Sequence, residues 1–328
     1  MIESDELLSI RAAELYYEED KTQDEIGSIL TLTRWKVGRL LAQAKASGFI
    51  RIEIVHPRAR RLPVERRLRE TCGLTDAIVV STAGVDDQDE LQSRTAQAAA
   101  DYLASLRPAP RTLGISWGRT LDDVARHLQD GWAAGVDVVQ INGGVSLNRR
   151  AGTAASTAVT IAQKAGGHAT LLPSPAILER LETKRAIESD RAVAAVLDLA
   201  SGADGYLFSA GAADASSVLV DSGYLTPDDV AGLVGRGAVG DVVGRYVDAS
   251  GAIVDERLDE RTIGLPLESL RAAQLSIAVI AGAAKHAVAR AVVASGLCTV
   301  LVTDEETALH LIETTPSVQD SEGQRGTA

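Results

Sequence analysis

Of the six lysines in this chain of 328 residues, only three lie beyond residue 45. One of these, Lys285, directly follows an apolar run and the small-residue segment Ala281-Gly-Ala-Ala. An ammonium placed there can meet a phosphate as a point charge. Four other segments share the character of that one and end short apolar runs in glycine and small or polar residues. They are Gly114-Ile-Ser-Trp-Gly-Arg-Thr120, Asn142-Gly-Gly144, Ser209-Ala-Gly211 and Gly237-Ala-Val-Gly-Asp241. Glycine lets a backbone approach an anion closely, and the free N–H groups of a helix start favour negative charge. Singly, each segment reads as a tight strand-to-helix turn that needs glycine for steric reasons. Five together, with one lysine in an acidic region, favour a pocket for a phosphorylated small molecule. Asp241 can hydrogen-bond sugar hydroxyls or act as a general base. No GxxxxGK[ST] occurs and no GxGxxG follows the first strand, so no nucleotide motif is present. No Ser/His/Asp or Cys/His arrangement is suggested, and no residue is assigned a catalytic role.

A second kind of chemistry sits near the N-terminus. Residues 26–52 carry Arg34, Lys36, Arg39, Lys45 and Arg51 and no acidic residue, although the whole chain is at −12. Residues 26–69 hold eleven Lys/Arg against Glu53 and Glu65, a net +9 that leaves −21 for the rest. This asymmetry is the footprint of a short nucleic-acid-binding module joined to an acidic body. Thr22-Gln-Asp-Glu25 fits a capping box, and Ile26, Ile29 and Leu30 follow at helical spacing. Thr31-Leu32 makes a short break. Thr33 then N-caps a second helix whose inward face is Val37, Leu40 and Leu41, with Arg34, Trp35, Lys36 and Arg39 pointing away. In a helix-turn-helix the second helix enters the major groove, while capping groups and flanking cations hold phosphates. The alternative is an ordinary helical hairpin with a basic exposed side. Two features look unfavourable: Thr31 stands where glycine is common, and Gly27 in mid-helix costs about 1 kcal/mol relative to Ala.

The elements that must position these residues follow from pattern. A first helix over residues 5–17 completes a three-helix unit, Gly48 stops the recognition helix, and residues 49–55 alternate as a strand. Residues 58–69 read as a charged linker that becomes helical at Val64. Strands are expected at 77–80, 111–116, 136–141, 169–172, 205–208, 275–280 and 299–302, with helices at 88–106, 120–128 and 153–165 between them. That alternation predicts a largely parallel sheet with helices on both faces. The length suits two domains: 1–56 for the helix-turn-helix, 57–313 for an α/β ligand-binding and oligomerisation domain, and 314–328 as a disordered tail. No apolar stretch approaches the roughly 20 residues that span a bilayer, and no basic-then-apolar leader opens the chain. Cys72 and Cys298 form no CxxC, and the five histidines show no metal spacing, so no metal or cofactor is expected and a reducing cytoplasm fits best.

A helix-turn-helix of this type, followed in order by Gly114 to Thr120, Asn142-Gly-Gly144, Gly240-Asp-Val-Val-Gly-Arg-Tyr-Val-Asp248, Ala281-Gly-Ala-Ala-Lys285 and Leu301-Val-Thr-Asp-Glu305, resembles the SorC family of bacterial sugar-responsive transcriptional regulators. The resemblance covers about residues 5–312. It implies an N-terminal domain that binds duplex operator DNA and a Rossmann-like effector domain with the fold of phosphosugar isomerases and CoA transferases. It also implies a dimer or tetramer in which a phosphorylated sugar or polyol modulates operator binding. The DNA-contacting set is then Thr22, Gln23, Thr33, Arg34, Trp35, Lys36 and Arg39. Carried over by position, Gly114, Ser116, Trp117, Gly118, Arg119, Asn142, Gly143 and Gly144 line the pocket, joined by Ser209 and Gly211 from the third loop. Asp241 takes sugar hydroxyls, and Lys285 the phosphate or a carbonyl. Where the family usually has two glycines before the lysine segment, Gly282 is followed here by Ala283. An enzyme of the phosphosugar isomerase type with an added N-terminal domain is the alternative; it has no use for a basic helix-turn-helix.

Overall fold

The computed structural model describes residues 2–50, 60–85, 87–145 and 154–315. Most of the strand expected at 49–55, the first residues of the linker and nearly all of the tail lie outside them. The chain divides into two compact units, Met1–Val55 and His56–Ala328.

The first unit holds three helices, α1 (Ile2–Tyr17), α2 (Gln23–Leu30) and α3 (Arg34–Ala46). The capping box forms: Thr22 accepts from the Glu25 amide while the Glu25 carboxylate accepts from the Thr22 amide at 2.8 Å. Those bonds hold the Glu25 carboxyl below its ordinary range. Thr33 caps α3 by accepting from the Lys36 amide at 3.3 Å. Ala12, Leu15, Ile26, Val37, Leu40, Leu41 and Ala44 form one small core. Two expectations need correction. Ile29 is 52% exposed rather than part of the stripe, because the face turned inward is that of Ile26 and Gly27. Gly27 is no defect either, since the Leu32 carbonyl closes the turn against it.

In the second unit α4 (Leu62–Cys72) precedes a seven-stranded sheet. Its strands are β1 (Asp76–Val80), β2 (Thr112–Ile115), β3 (Asp137–Gln140), β4 (Ala169–Thr170), β5 (Gly205–Phe208), β9 (Ser276–Val279) and β10 (Val300–Asp304). The order is β1-β10-β9-β5-β2-β3-β4, and every pairing is parallel. Such strands are buried on both faces, so their residues alternate between two cores. Tyr206 and Phe208 of β5 face one core with Leu301, Val288 and Ala308. Leu207 faces the other with Ile78, Leu113 and Val302. The second core is covered by α5 (Gln88–Ser105), α6 (Arg119–His127) and α7 (Ala154–Lys164). The first is covered by α4 and by later helices, among them His286–Ala294 and Glu305–Thr314.

Three short strands form a separate antiparallel sheet: β6 (Ala210–Ala212), β7 (Gly240–Val242) and β8 (Arg245–Val247), in sequence order. The segment around Asp241 was expected as a loop closing a parallel strand; it is one arm of a hairpin. With Trp117, Leu219, Val230, Leu233, Tyr246 and Leu258 this region builds a smaller satellite core. None of the described helices is long and apolar enough to cross a membrane.

Candidate functional site

The chain runs from β2 outward through β3 to β4, then returns to place β5 on the opposite side of β2. The strand order therefore reverses between β2 and β5. In an open parallel sheet, ligands bind outside the carboxyl ends of the strands at such a reversal. A cavity of about 280 Å³ lies there, lined by the segments that follow β2, β5 and β9 and by the β7–β8 hairpin. Of the residues expected at a ligand, Ser116, Trp117, Gly118, Arg119, Ser209, Gly211, Asp241 and Lys285 all line it.

Its electrostatics centre on Asp241 and Lys285. Asp241 is buried on β7, and its carboxylate accepts from the Gly244 amide at 3.2 Å. Burial pushes its carboxyl up to about 6, although that amide and Lys285 pull in the other direction. Burial likewise lowers the Lys285 ammonium to about 8; Asp241 opposes this and Arg119 adds to it. The two cations and the carboxylate thus act on one another across one small space. Gly211 pairs with Asp241 in the β6–β7 register, and a side chain at Gly211 would collide with the Asp241 carboxylate. The hairpin turn next to Asp241 places Val243 at φ 48° and Gly244 at φ 86°. A β-branched residue in the left-handed region is strained by about 1–3 kcal/mol, and such strain concentrates at binding sites. Gly118, at φ 132°, N-caps α6 and provides no side-chain cap, so the first amides of that helix are left for another partner.

Four expected residues do not line the cavity. Gly114 lies inside β2, where a side chain would strike the Tyr206 ring and Ile141. Gly143 and Gly144 pack against the Ser174–Ala176 backbone, and their amides donate to Ile263 O at 3.0 Å and Ser174 O at 2.7 Å. Those amides serve the fold and are not available to an anion. The Gly282 amide is also taken, by Asp304 at 2.8 Å. Asn142 is fully buried, and both polar atoms of its amide lack a hydrogen-bond partner. Its neighbour Gly143 accepts from the indole of Trp117 at 2.8 Å, so Asn142 stands one layer behind the cavity wall.

Sequence reasoning missed Gln88, Asp89 and Gln92 of α5, and Asp214, Ser216 and Ser217 after β6. The cluster Asp214-Ala-Ser-Ser217 follows Gly211 so closely that it was a readable signal. The α5 residues gave none, because their reach into the cavity depends on helix packing. No group of His, Cys, Asp and Glu among the described residues could hold a metal.

In the first unit, Thr22 and Thr33 cap their helices, and Gln23 places its amide oxygen beside Gly38. Arg34 meets Asp24 at 3.6 Å across the turn. Lys36 does not project freely as expected: it is half-buried and reaches back to Asp5 of α1 at 3.2 Å. Trp35 and Arg39 are exposed.

The comparisons agree with this architecture. The model of the Sugar-bind family, a sugar-binding domain, matches residues 57–313. The Deoxyribonucleoside regulator of Bacillus subtilis (strain 168) is 31% identical over 305 residues, covering 93% of this chain and 97% of its own. The Erythritol catabolism regulatory protein EryD of Brucella abortus (strain 2308) is 28% identical over 312 residues, 95% of this chain and 98% of its own. The crystal structure of the full-length Sorbitol Operon Regulator SorC from Klebsiella pneumoniae superposes with a TM-score of 0.69 at 26% identity, over 93% of this chain and 98% of that one.

Proposed function

We propose that this chain, which belongs to the SorC family of sugar-binding transcriptional regulators, is a DNA-binding switch whose ligand is a phosphorylated sugar or polyol. The observation that carries this reading is the convergence of Lys285, Arg119 and Asp241 on one cavity at the strand-order reversal. In a chain at −12, a bound phosphate needs local cations. Lys285 and Arg119 supply them, and the uncapped start of α6 supplies amides. Asp241 and the hydroxyls of Ser116, Ser209 and Ser217 suit sugar hydroxyls. Occupancy shifts DNA affinity to the extent that the ligand binds the two states of the protein unequally. Symmetric dimers or tetramers would pair two helix-turn-helix units on two half-sites about one helical turn apart.

The test begins with a duplex selected from a randomised pool. Its affinity is then measured with pentose and hexose phosphates, polyol phosphates and their unphosphorylated forms. A phosphorylated compound is expected to raise the melting temperature and to change duplex affinity, with its unphosphorylated form far weaker. A protein that selects no duplex, or that no phosphorylated compound affects, overturns the reading. Gly211→Ala is expected to weaken that ligand by about 10- to 100-fold while the apo protein still binds DNA, because the added methyl displaces the Asp241 carboxylate. A titration of melting temperature against ligand checks this, and an unchanged ligand affinity would remove Asp241 from the contact set.

One observation favours a second reading. Asp241, pushed up to about 6, lies in the range of a general base. An isomerisation assay on pentose and hexose phosphates decides between the two. Turnover that is lost in Asp241→Asn would make the protein an enzyme.

A further inference from the structure

The side chains of α3 that face directly away from its core are not the ones that charge alone points to. Val37, Leu40, Leu41 and Ala44 are buried against α1 and α2. At 100° per residue, the opposite stripe carries Trp35, Arg39 and Ala42, spaced i, i+4 and i+7. All three are exposed. Ala42 is too short to reach far from the helix, so Trp35 and Arg39 are the readers on that stripe. Arg34 and Lys36 fall on either side of it, each next to a carboxylate, Asp24 and Asp5 respectively. Those flanking positions suit phosphate contacts; the central stripe is the part that can reach the floor of a groove.

Trp35 is 82% exposed, the highest value for a large apolar side chain among the described residues. Tryptophan is worth most where its face becomes covered, and it concentrates at the centres of interfaces. The balance of charge around it is positive: Arg34, Lys36, Arg39 and Lys45 stand on the same helix against Asp24 and Asp5, which meet the first two, and residues 26–50 contain no Asp or Glu. The cover is therefore polyanionic and must also offer an apolar group. Duplex DNA meets both conditions, because the only apolar group on a major-groove base edge is the C5-methyl of thymine.

Building on the DNA-binding reading above, we infer that Trp35 is a specificity-determining residue that packs on a thymine methyl in each half-site, with Arg39 reading an adjoining base edge. Arg39 suits guanine O6 and N7. It follows Trp35 by one helical turn on the same face, so the base it reads lies close to that thymine along the groove.

The test uses the full chain and a duplex selected from a randomised pool. Each thymine of the half-site is replaced in turn by uracil, which removes the methyl and leaves base pairing intact. Wild-type protein is expected to lose roughly 5- to 100-fold in affinity at one thymine per half-site. Trp35→Ala is expected to lose a similar factor on the thymine duplex and to bind the thymine and uracil duplexes equally. Because Trp35 is so exposed, the melting temperature of the variant should stay within about 2 °C of wild type, which separates lost recognition from lost fold. If Trp35→Ala does unfold, the wild-type thymine/uracil comparison still decides. Tight binding by the wild type that ignores every methyl overturns the assignment while leaving the DNA-binding reading in place. A Trp35→Ala protein that keeps full methyl discrimination also overturns it.

Discussion

Lys285→Met is expected to abolish the response to a sugar phosphate and, in the same protein, to raise the stability of the unliganded fold. The first effect follows from position: Lys285 and Arg119 are the cations at the cavity, and only Lys285 faces the buried Asp241 closely enough for each to shift the other. A ligand at 100 times its dissociation constant adds about 2.7 kcal/mol to the wild type, a shift that a melting experiment resolves easily. The second effect follows from burial. The ammonium titrates near 8 in the folded chain, against 10.5 for an ordinary lysine. Below pH 8 it is charged in both folded and unfolded chains, and the folded state carries the whole penalty, on the order of 3 kcal/mol. Between pH 8 and 10.5 the unfolded chain binds the proton that the folded chain has released, so the wild type gains stability as pH rises. Lys285→Met lacks that rise. The net penalty below pH 8 already contains the attraction of Asp241; Lys285→Met with Asp241→Asn also removes the buried carboxylate left without its cation. Melting curves at pH 7 and pH 10, with and without a sugar phosphate, measure both effects. A Lys285→Met protein that still responds fully would place the anion site elsewhere.

How much of this was legible in the sequence depends on how local each feature is. The three helices of the first unit follow from two threonine caps and a short apolar period, and both caps form as read. What failed there was tertiary. Whether Ile29 or Gly27 faces α3, and whether Lys36 points outward or returns to Asp5, is settled by the angle at which helices cross. The parallel strands were legible because strands buried on both faces read as short β-branched runs. Residues 205–208 were expected as a strand, and β5 spans Gly205–Phe208. The small antiparallel sheet was not legible, since Ala210–Ala212 and Gly240–Val242 are three residues long and rich in glycine and alanine. The same limit divides the glycine loops. Those after β2, β5 and β9 meet at the cavity, whereas Gly143 and Gly144 after β3 are spent on backbone packing. Strand order decides which loops converge, and strand order is a property of crossovers that no single motif records.

Gly27→Ala provides the sharpest contrast between local and tertiary reasoning, because the two predict opposite signs. Helix propensity alone promises a gain of about 1 kcal/mol from replacing a mid-helix glycine by alanine. The structure predicts a loss. A β-carbon at Gly27 would sit 2.7 Å from the carbonyl oxygen of Leu32, a contact with backbone that no side-chain rotation can relieve. The approach is tight because the chain reverses within two residues: Thr31 takes φ 57°, and the Leu32 amide donates to Gly27 O at 2.8 Å. Moving that carbonyl opens the turn and swings α3 relative to α2, so overpacking of about 1–3 kcal/mol replaces the expected gain. The first unit rests on one small core, so a loss of that size is a large share of its stability. DNA affinity is expected to fall by at least tenfold, since the stripe of Trp35 and Arg39 loses its orientation to the flanking caps. Chemical denaturation of the full chain, followed by helical circular dichroism, and duplex binding measured on the same preparation check both parts. A Gly27→Ala protein that is more stable and binds DNA as well as the wild type would show that the turn yields at little cost and that α3 does not depend on it for position.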